Sequence, residues 1–273
     1  MKKKLLSTIA LVTAIVVLLT ACGGGNSGNT DGLSGNVSLN GSTSVERVIA
    51  ALIEAFNEEH PGVTLTFNPT GSGAGITSAQ EGTADIGLSS RALRDTETGV
   101  DAITFAIDGL AVIVHPNNPV QNLTIDQLYG IYSGAITNWS EVGGDNVPIS
   151  PIGREAGSGS RGVFDDVVGV ADPAHDQELT SGGAVISAVA TNPAAIGYAS
   201  LSAVGNTVQI ISVNGVMISD TTLIDGSYPV ARPFILMTQS GATVSEATQA
   251  FIDFILSPAA AEIIENAGVV QAR

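Results

Sequence analysis

The chain has 273 residues, 44% hydrophobic and 13% charged, a balance that excludes disorder for its body and suits one large domain or two modest lobes. Its 26 acidic residues face only ten basic ones, for a formal charge of −16. General electrostatics therefore exclude binding to nucleic acid or an anionic lipid surface and give no long-range pull on anions. Cys22 is the only cysteine, which excludes an internal disulfide.

The chain opens as a targeting segment. Lys2 to Lys4 form a basic start, Leu5 to Leu19 an apolar run, and Leu19-Thr20-Ala21-Cys22 places small residues before a thiol. The run is shorter than the roughly 20 residues that span a bilayer. Residues 1–21 are thus expected to be a signal peptide, and the tetrapeptide resembles the bacterial lipobox, whose cysteine is lipidated. From Cys22 to Asn36 the chain is rich in glycine and poor in apolar side chains, the composition of a flexible tether.

Beyond the tether, strand and helix patterns alternate. Val37–Leu39 is a short strand. Val45, Val48, Ile49, Leu52, Ile53 and Phe56 then lie on one helical face, and Thr43 with Glu46 reads as a capping box. Pro61-Gly62 ends that helix. A strand follows at Val63–Phe67, then a Gly/Ser loop at residues 70–75, a helix at Ile76–Glu81 and a strand at Asp85–Leu88. Leu110–Val114 is a buried strand, and His115-Pro116 with Pro119 marks a crossover into a second lobe. That lobe holds helices near Ile125–Tyr129 and Gly183–Thr191 and a strand near Ile196–Tyr198. Val208–Val213 leads back to a strand at Phe234–Met237 and helices over Val244–Leu256 and Pro258–Ala267. The reading is an α/β chain with a signal peptide at 1–21, a tether at 22–36, a first lobe from 37–112 and 207–273, and a second lobe from 113–206. Two crossovers between lobes imply a hinged cleft.

Three strand-to-helix junctions carry hydroxyls, at Ser42, Ser72 and Ser158, where unpaired N–H groups and the positive end of the helix dipole suit an oxyanion. The third lies in Gly153-Arg-Glu-Ala-Gly-Ser-Gly-Ser-Arg-Gly162. Beyond residue 4 the chain has no lysine and only seven arginines, and two of these, Arg154 and Arg161, bracket this decapeptide. Guanidinium forks, small hydroxyls and approachable N–H groups are the donors a tetrahedral oxyanion requires.

Several segments together resemble the phosphate-binding lipoproteins of bacterial ABC-type phosphate uptake systems. They are Gly41-Ser-Thr-Ser44, Gly71-Ser-Gly-Ala-Gly-Ile76, Asp85-Ile-Gly-Leu-Ser-Ser-Arg91, Asp108-Gly-Leu-Ala-Val-Ile-Val114, Tyr132 to Gly144, the decapeptide, and Phe251-Ile-Asp-Phe-Ile-Leu-Ser-Pro258. The resemblance implies a two-lobed periplasmic-binding-protein-like fold of type II that closes on inorganic phosphate and delivers it to ABC transporter permease subunits. It also implies a monomer held on the outer face of the cytoplasmic membrane through Cys22, without catalysis or cofactor. Carried across by motif, the phosphate ligands are Ser42, Thr43, Ser44, Ser72, the Gly73 N–H, Ser90, Arg91, Arg154, Ser158, Gly159 and Ser160. Some members of the family place an aspartate where this chain has Ser90, and another where it has Ala156, so the acceptor for the proton of monohydrogen phosphate must come from elsewhere. Glu155 is the first candidate and Asp85 the second.

Other chemistry finds less support. His60, His115 and His175 are far apart in sequence and outside the Gly/Ser loops, so no metal site is expected. No serine sits in Gly-x-Ser-x-Gly and no phosphate-binding lysine loop exists, which argues against a hydrolase. The alternatives are another oxyanion, such as sulfate or molybdate, or a surface adhesin or sensor on the same fold.

Overall fold

The computed structural model describes residues 32–272. The signal peptide, Cys22 and most of the tether lie outside the described residues. β1 (Ser34–Gly41) leads through a 3-10 turn at Thr43–Val45 into α1 (Glu46–Glu59), β2 (Gly62–Pro69), α2 (Ser72–Glu81), β3 (Ile86–Ser89) and β4 (Val100–Val114). Next come β5 (Asn122–Leu123), α3 (Ile125–Tyr132), β6 (Ser150–Arg154), α4 (Gly159–Val168), β7 (Gln177–Leu179), α5 (Gly182–Thr191) and β8 (Ala195–Ser200). The chain ends with β9 (Gln209–Val213), α6 (Asp220–Ile224), β10 (Ala231–Gln239), α7 (Glu246–Leu256), α8 (Pro258–Asn266) and β11 (Val270–Gln271).

The strands run in the order β2-β1-β3-β10-β4-β8-β6-β7, with β9 also on β4. β1, β2 and β3 are mutually parallel, whereas the returning β10 is antiparallel to both β3 and β4. β4 is the shared element. Its first part, Val100–Gly109, pairs with β10, and Leu110–Val114 pairs with β8.

Two apolar cores flank this strand. One gathers Leu39, Leu52, Phe56, Phe105, Phe234 and Phe251. The other gathers Val112, Tyr132, Trp139, Phe164, Tyr198 and Tyr228, with Phe164 and Tyr198 stacked at 4.1 Å between ring centroids. Burying such rings supplies most of the apolar driving force, about 25 cal/mol for each Å² removed from water. This mixed α/β, two-lobed architecture is the expected fold class.

Three expectations need correction. The tether does not run to Asn36, because Ser34, Gly35 and Asn36 already pair in register with Gly62, Val63 and Thr64 of β2. Backbone ladders need no apolar side chains, so composition hid the start of the strand. α2 begins at Ser72 rather than Ile76. Its glycines lie against neighbouring backbone, and a Cβ on Gly75 would sit 2.5 Å from the Leu88 carbonyl oxygen and 2.7 Å from the Gly41 Cα. Tertiary approach overrides low helix propensity there. The capping box at Thr43 and Glu46 does not form. Ser42 caps instead, accepting from the Ser44 N–H at 3.2 Å.

Candidate anion cradle at the strand ends

β1, β3 and β6 all point their carboxyl ends at one place, because parallel strands share a direction and the helices return behind them. β1 ends beside Ser42, β3 ends at Ser89-Ser90, and β6 ends on Arg154. The hydroxyls at these ends meet. Ser42 Oγ donates to Ser90 Oγ at 2.8 Å, Ser72 Oγ and Ser90 Oγ are 3.3 Å apart, and Ser44 Oγ and Ser160 Oγ 3.0 Å. Ser42, Ser72, Ser90, Ser158 and Ser160 are all buried, although serine is ordinarily a surface residue.

Arg154 is 1% exposed and spans the junction. Its Nη2 donates to Thr43 Oγ1 at 3.2 Å and to the Thr180 carbonyl at 3.0 Å, and its Nε to the Leu179 carbonyl at 2.9 Å. Its backbone is held as well: the N–H donates to the Tyr198 hydroxyl, and the carbonyl accepts from Arg161 Nη1 at 3.1 Å. Arg161 in turn pairs with Asp165 and Glu178. Burial pushes the Asp165 carboxyl up to about 6 against the pull of Arg161. Burial also lowers His175, whose Nδ1 is 3.3 Å from Glu178.

A second guanidinium enters from β10. Arg232 Nη1 donates to Ser160 Oγ at 2.7 Å and to Ser90 Oγ at 3.3 Å. Its Nε and Nη2 grip one oxygen of Asp108 at 2.9 and 2.7 Å, and Ser200 Oγ donates to the other at 2.8 Å. Both members of this pair are fully buried. Burial pushes the Asp108 carboxyl up, with Arg232 pulling it back, and lowers Arg232. The sequence reading missed Arg232 as a site residue and quoted Asp108 only within a motif. The available signal was one acid and one base inside otherwise apolar strands, where each demands a partner.

Other expected residues are placed differently. Arg91 is buried, but its guanidinium is held bidentately by Glu97 at 2.7 and 2.6 Å, and that contact lowers Glu97. The Gly73 N–H donates to the Gly157 carbonyl at 3.1 Å, bridging α2 to the decapeptide. Gly159 is a point of close approach, since a Cβ there would sit 2.6 Å from Ser90 Oγ and closer still to Ser72 Oγ. Asp85 lies at the opposite end of β3, accepting from the Ser38 N–H and hydroxyl at 2.8 and 2.6 Å. It cannot serve a site at the strand's carboxyl end. Glu155 is near the cradle, with both oxygens on Arg154 at 3.1 and 2.9 Å rather than on Arg161. Beside the cradle a cleft of about 360 Å³ is lined by Thr43, Ser44, Arg47, Ser181, Ser200 and Ser202.

Comparison with known proteins agrees with this architecture. The family model described as the PBP superfamily domain matches residues 26–259. The phosphate-binding protein PstS of Bacillus subtilis (strain 168) is 30% identical over 276 residues, covering 94% of this chain and 90% of the relative. Among solved structures, the X-ray crystal structure, with bound phosphate, of a candidate phosphate ABC transporter substrate-binding protein from Clostridium perfringens superposes with a TM-score of 0.84. It is 39% identical and is matched over 88% of this chain and 100% of that one. An ABC-type phosphate transport receptor from Vibrio cholerae gives a TM-score of 0.74 at 35% identity, covering 86% and 100%. A match this long, on a fold whose strand ends gather the same hydroxyl-bearing loops, means that the chain belongs to the PBP superfamily, in the family of the phosphate-binding proteins PstS.

Proposed function

We propose that this protein is an extracytoplasmic solute-binding protein that captures inorganic phosphate between its lobes and delivers it to the permease of an ABC transporter. The observation that carries the reading is the convergence of buried hydroxyls from β1, α2 and β3 on Arg154, Ser158 and Ser160 from the opposite side. Arg154 Nη1, Thr43, Ser44, Ser72, Ser90, Ser158 and Ser160 are the proposed donors, and Arg232 is an addition to the set. Arg91, Gly73 and Gly159 act in closure or support. The lobes then divide near Gly109 and Val230 rather than at 113 and 206, since Leu110–Val114 and Val208–Val230 contribute to the second core. Only the liganded, closed shape would dock productively on the permease.

Binding proceeds without catalysis in this reading, because the carboxylates beside the hydroxyls are committed to arginines and none is placed to deprotonate a serine. Cys22 carries the lipid that holds the monomer on the outer face of the membrane. Calorimetric titration with phosphate tests the core of the proposal. Saturable one-to-one binding is expected, weakened at least about a hundredfold in Arg154→Gln. No heat and no protection against thermal unfolding at millimolar phosphate would sink it. Labelling cells with palmitate tests the anchor, and Cys22→Ser should abolish the label.

A further inference from the structure

Resting on that reading of the site, the direction of each hydrogen bond in the cradle narrows the chemistry of what it holds. Thr43 Oγ1 accepts from Arg154, and Ser72 Oγ accepts from the Ser90 N–H at 3.1 Å. Ser90 Oγ accepts from both the Ser42 hydroxyl and Arg232. Ser158 Oγ accepts from the Arg161 N–H at 3.3 Å, and Ser160 Oγ accepts from Arg232. Each of these oxygens already serves a donor of the protein, so what remains on offer is its proton. A hydroxyl has one O–H, and once its oxygen is engaged it acts toward a ligand as a donor. Arg154 and Arg232 have no acceptor at all.

Carboxylates could reverse this polarity, but those near the cradle are occupied. Asp108 spends one oxygen on two N–H groups of Arg232 and the other on Ser200. Glu155 gives one oxygen to each of two nitrogens of Arg154, and Glu97 is held by Arg91 and the Arg94 N–H. Asp85 lies at the far end of β3 on Ser38. Among the described residues, then, the cradle presents donors and no unengaged anionic acceptor. Monohydrogen phosphate brings a proton that wants an acceptor, while sulfate has the same shape and charge without the proton. A free carboxylate in the cradle would reward the first and repel the second. A cradle of donors does neither.

We infer that the site accepts proton-free tetrahedral dianions, sulfate included, with an affinity comparable to that for phosphate. Sites with a dedicated hydrogen-bonding group reject the analogue that cannot use it by about 10⁴-fold or more. The test is titration of the purified protein with sodium phosphate and with sodium sulfate at one pH, in the wild type and in Glu155→Gln. The expected result is a sulfate Kd within about a hundredfold of the phosphate Kd, with Glu155→Gln moving both by a similar factor. Phosphate binding with sulfate weaker than that limit overturns the inference and leaves the proposed function standing. So does a Glu155→Gln variant that loses phosphate while gaining sulfate, because Glu155 would then be the acceptor. Silence with both anions overturns this inference and the phosphate reading together.

Discussion

Asp108 and Arg232 are each fully buried, and neither could be there alone. Removing one partner leaves an uncompensated charge in a dry interior, which typically costs about 3–5 kcal/mol, whereas replacing both by apolar groups is often neutral. Asp108→Ala should therefore lower the urea midpoint by that order, and Asp108→Leu combined with Arg232→Met should recover most of the stability while losing anion affinity. Recovery of both would mean that Arg232 does nothing for the cradle. Asp165 makes a different residue-scale prediction. Its folded value of about 6 lies above the model value of 3.8, so the folded protein holds the proton more tightly than the unfolded chain does. The stability from this group is present below the unfolded value and is lost as pH rises through about 6. Two units correspond to roughly 3 kcal/mol as an upper figure. Asp165→Asn should thus flatten the decline in urea midpoint between pH 4 and pH 7, and an unchanged slope would show that the Arg161 contact fully compensates burial.

At the level of elements, α2 and α4 are placed by glycines that let backbone and hydroxyl approach closely. Gly75 sits where α2 crosses β1 and β3, inside one lobe. Gly159 sits where the start of α4 meets Ser72 and Ser90 across the cleft. The two should separate experimentally. Gly75→Ala forces a methyl against immovable backbone and should destabilise by about 1–3 kcal/mol, read as a fall in Tm. Gly159→Ala should leave Tm without ligand nearly unchanged but weaken phosphate at least about tenfold, since the methyl opposes closure rather than folding. An equal loss of Tm in both would show that Gly159 is part of a core.

This contrast also explains what was legible. Helices with a strong apolar period, such as α1 and α7, declare themselves locally, and the Gly/Ser junctions at residues 42, 72 and 158 mark the cradle because caps and anion sites use the same small hydroxyls. α2 was read four residues short because its glycines and serines have poor propensity and owe their helix to packing. Arg232 stayed hidden for a topological reason. The chain passes through the whole second lobe before β10 returns between β3 and β4, and sequence separation carries no sign of that. Asp85 was misplaced because composition does not say which end of a strand faces the ligand.

For the whole molecule, the question is how a chain of net charge −16 holds a dianion. The six arginines among the described residues do not form a positive field. Arg91 faces Glu97, Arg154 faces Glu155, Arg161 faces Asp165 and Glu178, and Arg232 faces Asp108. With each cradle guanidinium matched by a carboxylate, attraction comes from oriented N–H and O–H dipoles at contact distance in a desolvated cleft, where a hydrogen bond is electrostatically stronger than in water. Such contacts lie well inside the Debye length, about 10 Å at 0.1 M salt, and are screened little, whereas a net-charge mechanism acting through solvent weakens steeply. Phosphate affinity should therefore fall by less than about tenfold between 0.05 and 0.5 M sodium chloride. Freeing one arginine changes the regime. Glu155→Gln leaves Arg154 with uncompensated charge, so its phosphate affinity should become more salt-dependent than that of the wild type. A wild-type affinity that collapses with salt, or a Glu155→Gln slope no steeper than the wild type, would show that these carboxylates do not neutralise the cradle.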